Sequence, residues 1–105
     1  MAGIPERITR IVSDYIDDVH REIPISQAIL FGSYAKGTFS QDSDIDIAII
    51  SNYFKGMHRV DGIKYLLRKT VRFDADIEPI PFVPEDCIEP SGLLVDVLRE
   101  GIRFL

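Results

Sequence analysis

The chain is organised around residues 32–47, which read Gly32-Ser33-Tyr34-Ala35-Lys36-Gly37-Thr38-Phe39-Ser40-Gln41-Asp42-Ser43-Asp44-Ile45-Asp46-Ile47. The apolar run at 27–31 predicts a short buried strand that stops at Gly32. Residues 32–38 are small and punctuated by glycine, which predicts a turn leading into a short helical segment. Acidic and isoleucine positions alternate at the start of residues 43–50, and this spacing predicts a second strand with one carboxylate face.

Asp44 and Asp46 lie two residues apart on this strand, so their side chains are expected to project from the same face. Carboxylates held side by side repel each other unless a cation neutralises them, and Mg²⁺ prefers such oxygen ligands with positions left for water and phosphate. The turn at Gly32 and Ser33 can offer backbone N–H groups and a hydroxyl to a phosphate. Lys36 is either a further phosphate contact or a solvated lysine. The pattern predicts the adjoining metal and phosphate sites that phosphoryl and nucleotidyl transfer require.

Segments 5–22, 58–71 and 91–99 have apolar residues at helical spacing. A further alternating run at 72–80 predicts a third strand, which the prolines at 79, 81 and 84 are expected to end. The order of these elements predicts an α/β fold with a small mixed sheet and helices packed against one face. A length of 105 residues suits one compact domain, so residues 1–105 are predicted to form a single domain.

The third predicted strand presents a second acidic face, formed by Asp74, Asp76 and Glu78. One of these carboxylates could bind a second metal ion or accept the proton of an attacking hydroxyl. The spacing alone leaves the choice among the three open.

Two other interpretations of these motifs fail. The acidic run begins like a calcium-binding loop, but Ile47 and Tyr53 stand where that loop requires glycine and glutamate. The glycine turn is no Walker P-loop, because no Gly-Lys-Ser/Thr follows it.

The formal net charge is −5, which argues against autonomous binding of nucleic acid. Basic residues do gather between Lys55 and Arg72, where we expect a solvated helix face. The single cysteine, Cys87, cannot form an internal disulfide, and a cytoplasmic location is expected. Neither a signal peptide nor a membrane-spanning run is expected from the sequence.

Residues 28–50 resemble the signature of the DNA polymerase β-like nucleotidyltransferase superfamily. In that signature Gly-Ser follows an apolar residue, and Asp-x-Asp between apolar residues follows about ten positions later. The forms Gly-Ser-x-Ala-x-Gly and Ser-Asp-x-Asp are similar to minimal nucleotidyltransferases of the antitoxin type. The resemblance implies that Asp44 and Asp46 bind Mg²⁺ in a two-metal site, while Gly32 and Ser33 hold an NTP, which is ATP for this type.

The same resemblance ranks the candidates for the third carboxylate. Ile77-Glu78-Pro79 is similar to a recurring variant among the small members, so Glu78 is preferred as a catalytic and metal-binding residue. Asp76 is the second choice, and Asp74 is the third.

A polymerase β-type enzyme usually has an additional domain that binds the acceptor, and none is expected here. The resemblance therefore implies a partner, and minimal nucleotidyltransferases are often encoded beside a HEPN-domain toxin on which they AMPylate a tyrosine. A non-catalytic nucleotide-binding antitoxin and a transferase that modifies small molecules such as aminoglycosides are the alternatives. Apolar residues near Phe82 and in the last helix could also serve a homodimer.

Overall fold

The computed structural model describes residues 3–105. Four strands form one sheet, and their bounds are β1 (Gln27–Phe31), β2 (Ile45–Ile50), β3 (Ile77–Phe82) and β4 (Ile102–Arg103). The α-helices are α1 (Glu6–Glu22), α2 (Ser33–Lys36), α3 (Arg59–Arg68) and α4 (Leu93–Glu100). Short 3₁₀ turns at Asn52–Phe54 and Pro84–Cys87 follow β2 and β3. No helix within residues 3–105 is long and apolar enough to cross a membrane.

The sheet has the strand order β3-β2-β1-β4. β1 pairs antiparallel with both β2 and β4, whereas β2 and β3 are parallel and are joined through α3. The predicted α/β fold with a small mixed sheet is therefore confirmed. Because β2 begins where β1 ends, the start of β2 lies beside the turn at Gly32, with Phe31 paired to Asp46.

Both faces of the sheet are covered by helices, which differs from the predicted arrangement. On one face, Ile45, Ile47 and Ile49 pack against α1 and α3. On the other, Ala48 and Ile50 form a separate buried cluster with Leu94 and Val97 of α4. The expectation that the helices share one face was wrong for α4. That second face is apolar on the far side of Asp46, where it carries Ala48, Ile50 and Phe82. Burying these side chains away from water requires a helix on this face as well.

The third strand starts later and continues further than residues 72–80, the range predicted for it. The prolines at 79 and 81 lie inside β3, because β3 is an edge strand of the sheet. The backbone N–H groups of Ile45 and Ser51, at the two ends of β2, donate to the carbonyl oxygens of Asp76 and Phe82. The even-numbered residues of β3 therefore direct their backbone N–H and C=O groups toward β2. The odd-numbered prolines therefore have their missing N–H on the open side, where no ladder bond is lost.

Residues 72–76, which were predicted to begin this strand, form turns and bends instead. Phe73 N donates to the Thr70 carbonyl, and Arg7 donates to the Asp74 carbonyl at 2.6 Å. The alternation of apolar and acidic residues there reflects partial burial of Phe73 and Ala75 against the core. The strand β4 was not predicted, because two residues are too few for a periodic signal.

Tyr15 links α1 to α3 through one buried hydrogen bond. Its side chain is fully buried, and its hydroxyl donates to the Leu66 carbonyl at 2.9 Å. We expect Tyr15→Phe to lower the free energy of unfolding by about 1 kcal/mol, because the carbonyl keeps its other partner, the Lys69 N–H. Urea unfolding measures the loss. Tyr53→Phe, at a partly exposed ring, is the control, and equal stabilities of the two variants would contradict this role for Tyr15.

Candidate active site

Gly32 brings the glycine turn into direct contact with Asp46. Its φ of 75° lies in the left-handed region that favours glycine, and it immediately precedes α2. A Cβ on Gly32 would lie 3.2 Å from Cγ of Asp46 and would overlap its Oδ2. The backbone at the end of β1 thus forms one wall of the space around this carboxylate, and no side chain fits between them.

Asp46 and Glu78 are directly opposite each other on the parallel strands β2 and β3. The carboxyl group of Glu78 lies within hydrogen-bonding reach of Asp46. Partial burial, the contact with Glu78 and the negative charges of Glu78 and Asp44 raise the pKa of Asp46 to about 6. The two acids therefore repel each other near neutral pH, and the site attracts a proton or a cation.

Asp44 lies just before β2 and is exposed, while its charge still acts on Asp46. Because Asp44 precedes the strand, the expectation that Asp44 and Asp46 project from one strand face stays a prediction. Within residues 3–105, no group of three or more acidic, histidine or cysteine side chains is already arranged around a metal position. The donor chemistry nevertheless fits Mg²⁺, because Asp46 and Glu78 are carboxylates opposite each other on β2 and β3, and Asp44 directly precedes β2. Their role as ligands stays a prediction.

The other two candidates for the third carboxylate lie elsewhere. Asp74 and Asp76 line a polar cavity of about 490 Å³ together with Arg7, Tyr34 and Asp42. Neither contributes to the raised pKa of Asp46. Since the strand begins only at Ile77, the alternation that placed all three acids on one face does not extend to them. The geometry therefore favours Glu78 as the partner of Asp46.

Ser33 and Lys36 are the first and last residues of α2, which follows the turn. Within the described chain the Ser33 hydroxyl makes no side-chain hydrogen bond, and its backbone carbonyl accepts from Thr38 N at 3.1 Å. Lys36 forms no ion pair with residues 3–105. Both side chains therefore remain available to a ligand beside Gly32.

Two residues near the turn were missed by the sequence reasoning. Asp96 and Glu100 of α4 line a cavity of about 140 Å³ together with Gly32 and Lys36. Their separation from the motif, about sixty residues in the chain, hides this proximity. The available signal was the i, i+4 spacing of two acids on a largely apolar helix, which indicates a polar side facing a site or solvent.

Three comparisons with known proteins bear on this site. The family model described as a nucleotidyltransferase domain matches residues 12–102. A predicted protein adenylyltransferase of Methanocaldococcus jannaschii is 29% identical over 76 residues, which cover 70% of this chain and 77% of that protein.

Solved structures agree with the fold. A predicted nucleotidyltransferase of Sulfolobus solfataricus superposes with a TM-score of 0.73 at 20% identity, covering 93% of this chain and 79% of that one. A toxin–antitoxin structure with AMP-PNP superposes with a TM-score of 0.54 at 24% identity, covering 86% of this chain and 69% of that one. At these identities the likeness shows the fold alone.

The contact between Gly32 and Asp46 can be tested with two glycine variants. Gly32 and Gly37 have nearly the same φ, 75° and 79°, but a Cβ at Gly37 would meet nothing within 4 Å. Gly37→Ala should therefore cost only the backbone strain, about 1 kcal/mol. Gly32→Ala should cost about 1–3 kcal/mol more, because the new methyl group displaces the carboxylate. Equal losses on urea unfolding would refute the close approach.

The raised pKa of Asp46 predicts an unusual pH dependence of stability. Because the folded-state pKa, about 6, exceeds the unfolded value of about 4, stability from this group is full below about pH 4 and is lost as the pH rises past 6. In metal-free buffer at pH 8, Asp46→Asn should raise the melting temperature by about 4–8 °C, on the order of 1 kcal/mol for this partly exposed group.

The control for this measurement is Asp17→Asn, which removes an exposed carboxylate from α1. The gain in melting temperature from Asp46→Asn should shrink when the same scans are run at pH 4. A gain of the same size at both pH values would show that charge at Asp46 is not its cause.

Proposed function

Because the chain belongs to the nucleotidyltransferase domain family, we propose that it transfers AMP from ATP to a hydroxyl group on a partner protein. The confirmed part is the family and its nucleotidyltransferase class. The single observation that supports catalysis at this site is the pair Asp46 and Glu78 on adjacent parallel strands, with Asp46 against the Gly32 turn.

Asp44, Asp46 and Glu78 are the residues that would hold Mg²⁺. When bound, the cation would neutralise charge on the triphosphate and on the leaving pyrophosphate. The structure supports this assignment through the chemistry of the donors, since Asp46 is a carboxylate whose ionisation is opposed by burial and by two acidic neighbours. A cation relieves that repulsion, whereas the metal-free protein can relieve it only by protonation.

The chain's own residues suit the two halves of the transfer. Backbone N–H groups around Gly32, the Ser33 hydroxyl and the Lys36 ammonium group would bind and orient the phosphates. Glu78, which is exposed at the edge strand, would accept the proton of the acceptor hydroxyl. The acceptor oxygen then bonds to the α-phosphorus, the bond from that phosphorus to the bridging oxygen breaks, and pyrophosphate leaves.

ATP as the donor and a protein as the acceptor draw support from the relatives. The archaeal relative is named for protein adenylylation, and one structure of similar fold is a toxin–antitoxin with AMP-PNP. We propose the corresponding role here, in which the chain acts as an antitoxin toward a HEPN-domain toxin in the cytoplasm. The lone thiol of Cys87 suits such a reducing compartment.

Transfer of label from [α-³²P]ATP tests this proposal. With Mg²⁺ and the product of the neighbouring gene, which under this proposal is a HEPN-domain protein, we expect the partner to become labelled. Asp46→Asn and Glu78→Gln should each lower the rate by at least about 100-fold, because each removes a carboxylate that acts at the reacting phosphate.

Asp76→Asn is the matched comparison, because it removes an acid two residues from Glu78 that does not act on Asp46. It should keep most of the rate. A rate that depends on Asp76 and not on Glu78 would overturn the assignment of the third carboxylate. A stable complex without any label would favour the alternative, a nucleotide-binding antitoxin that acts by covering its partner.

A further inference from the structure

The outward side of α3 and of the turn after it combines exposed apolar residues with cations. Val60, Leu67 and Val71 are 59%, 44% and 82% exposed. Lys64 and Arg68 are exposed between them. These five residues, which we call the α3 face, comprise Val60, Lys64, Leu67 and Arg68, whose helical spacing puts them on one side of α3, and Val71 in the turn that follows.

The buried side of α3 is already occupied within the chain. Leu66 belongs to the main core and is fully buried. Gly62 packs so closely on Pro81 that a Cβ there would lie 3.2 Å from Pro81 Cγ. The α3 face points away from these contacts, so its exposed apolar residues contribute nothing to the core of this chain.

The charge around α3 is opposite to that of the remaining chain. Residues 55–72 contain six basic side chains and one acidic side chain, a net +5 in a chain of net −5, so the remainder carries −10. Three of the cations, Lys55, Lys69 and Arg72, form ion pairs within the chain. Lys64 and Arg68 form none with residues 3–105.

The topology places the C-terminal end of α3 and the carboxylate pair at the same end of the sheet but on opposite faces. Since β2 and β3 are parallel, α3 runs back along the sheet, and its C-terminal end lies toward the start of β3. Glu78 is the second residue of β3. A molecule lying along the α3 face, with one end at Val71, would reach this end of the sheet and would have to pass around the β3 edge to meet Glu78.

We propose that the α3 face is the docking surface for a partner protein that presents an acidic amphipathic helix. Carboxylates of that helix would pair with Lys64 and Arg68, while its apolar residues would cover Val60, Leu67 and Val71. Nucleic acid fits less well, because it would satisfy the cations and leave the apolar residues in water. The further step, in which another part of the same partner passes around the β3 edge and brings its hydroxyl to Glu78, rests on the proposed transferase function.

The affinity for the product of the neighbouring gene, measured by calorimetry on the full chain, tests the docking surface. The double variant K64E/R68E and the double variant L67S/V71S should each raise the dissociation constant by at least about tenfold. Their matched controls are R99E, an exposed cation on α4 without an ion pair, and I88S, a residue that is 79% exposed elsewhere. Both controls should bind as the unaltered chain does.

Binding of Mg²⁺–ATP is measured on the same variants and should be unchanged, because none of the altered residues touches the carboxylate pair. Docking of the unaltered chain without transfer of label would defeat the transferase proposal and leave the docking surface intact. The docking proposal is overturned if the α3 variants bind normally, or if the unaltered chain does not bind this protein. It is likewise overturned if the α3 changes only dissociate a homodimer, or only abolish binding of RNA or DNA.

Discussion

Repulsion between neighbouring carboxylates is the constraint on which the site depends. Asp46 is held opposite Glu78 by the register of two parallel strands, and the backbone of Gly32 closes the space on another side. The carboxyl group cannot move away without disturbing the sheet or the turn. The measurable result is the raised pKa of Asp46. The same repulsion favours binding of a proton or a cation at this carboxylate.

The alternation of residues was sufficient to predict β2 and the acidic pair at its start, because a strand has a period of two and isoleucines filled its buried positions. The same logic failed one strand later. Pro79 and Pro81 suggested an end to the strand, and only the position of β3 at the edge of the sheet explains why they are tolerated. Edge position is a property of the tertiary fold, which a local pattern does not contain.

The location of α4 was equally beyond local reasoning. Its apolar stripe predicts burial but does not say which face of the sheet is to be covered, and Ala48 and Ile50 on the second face supply the answer. This placement brings Asp96 and Glu100 near Gly32, so the surroundings of the turn are more acidic than the motif alone indicated. Under the proposed function, a nucleotide without a counter-ion would meet charge of its own sign here, so joint entry of nucleotide and cation would be favoured.

The two prolines of β3 also limit how copies of this chain can assemble. An open sheet edge normally offers a row of backbone donors that another strand can recruit, and that is the usual start of fibril growth. On the outer side of β3, Pro79 and Pro81 have a pyrrolidine ring in place of the backbone N–H donor. Extension of the sheet across the β3 edge is therefore blocked, and complexes that use this edge have to be built from side chains instead.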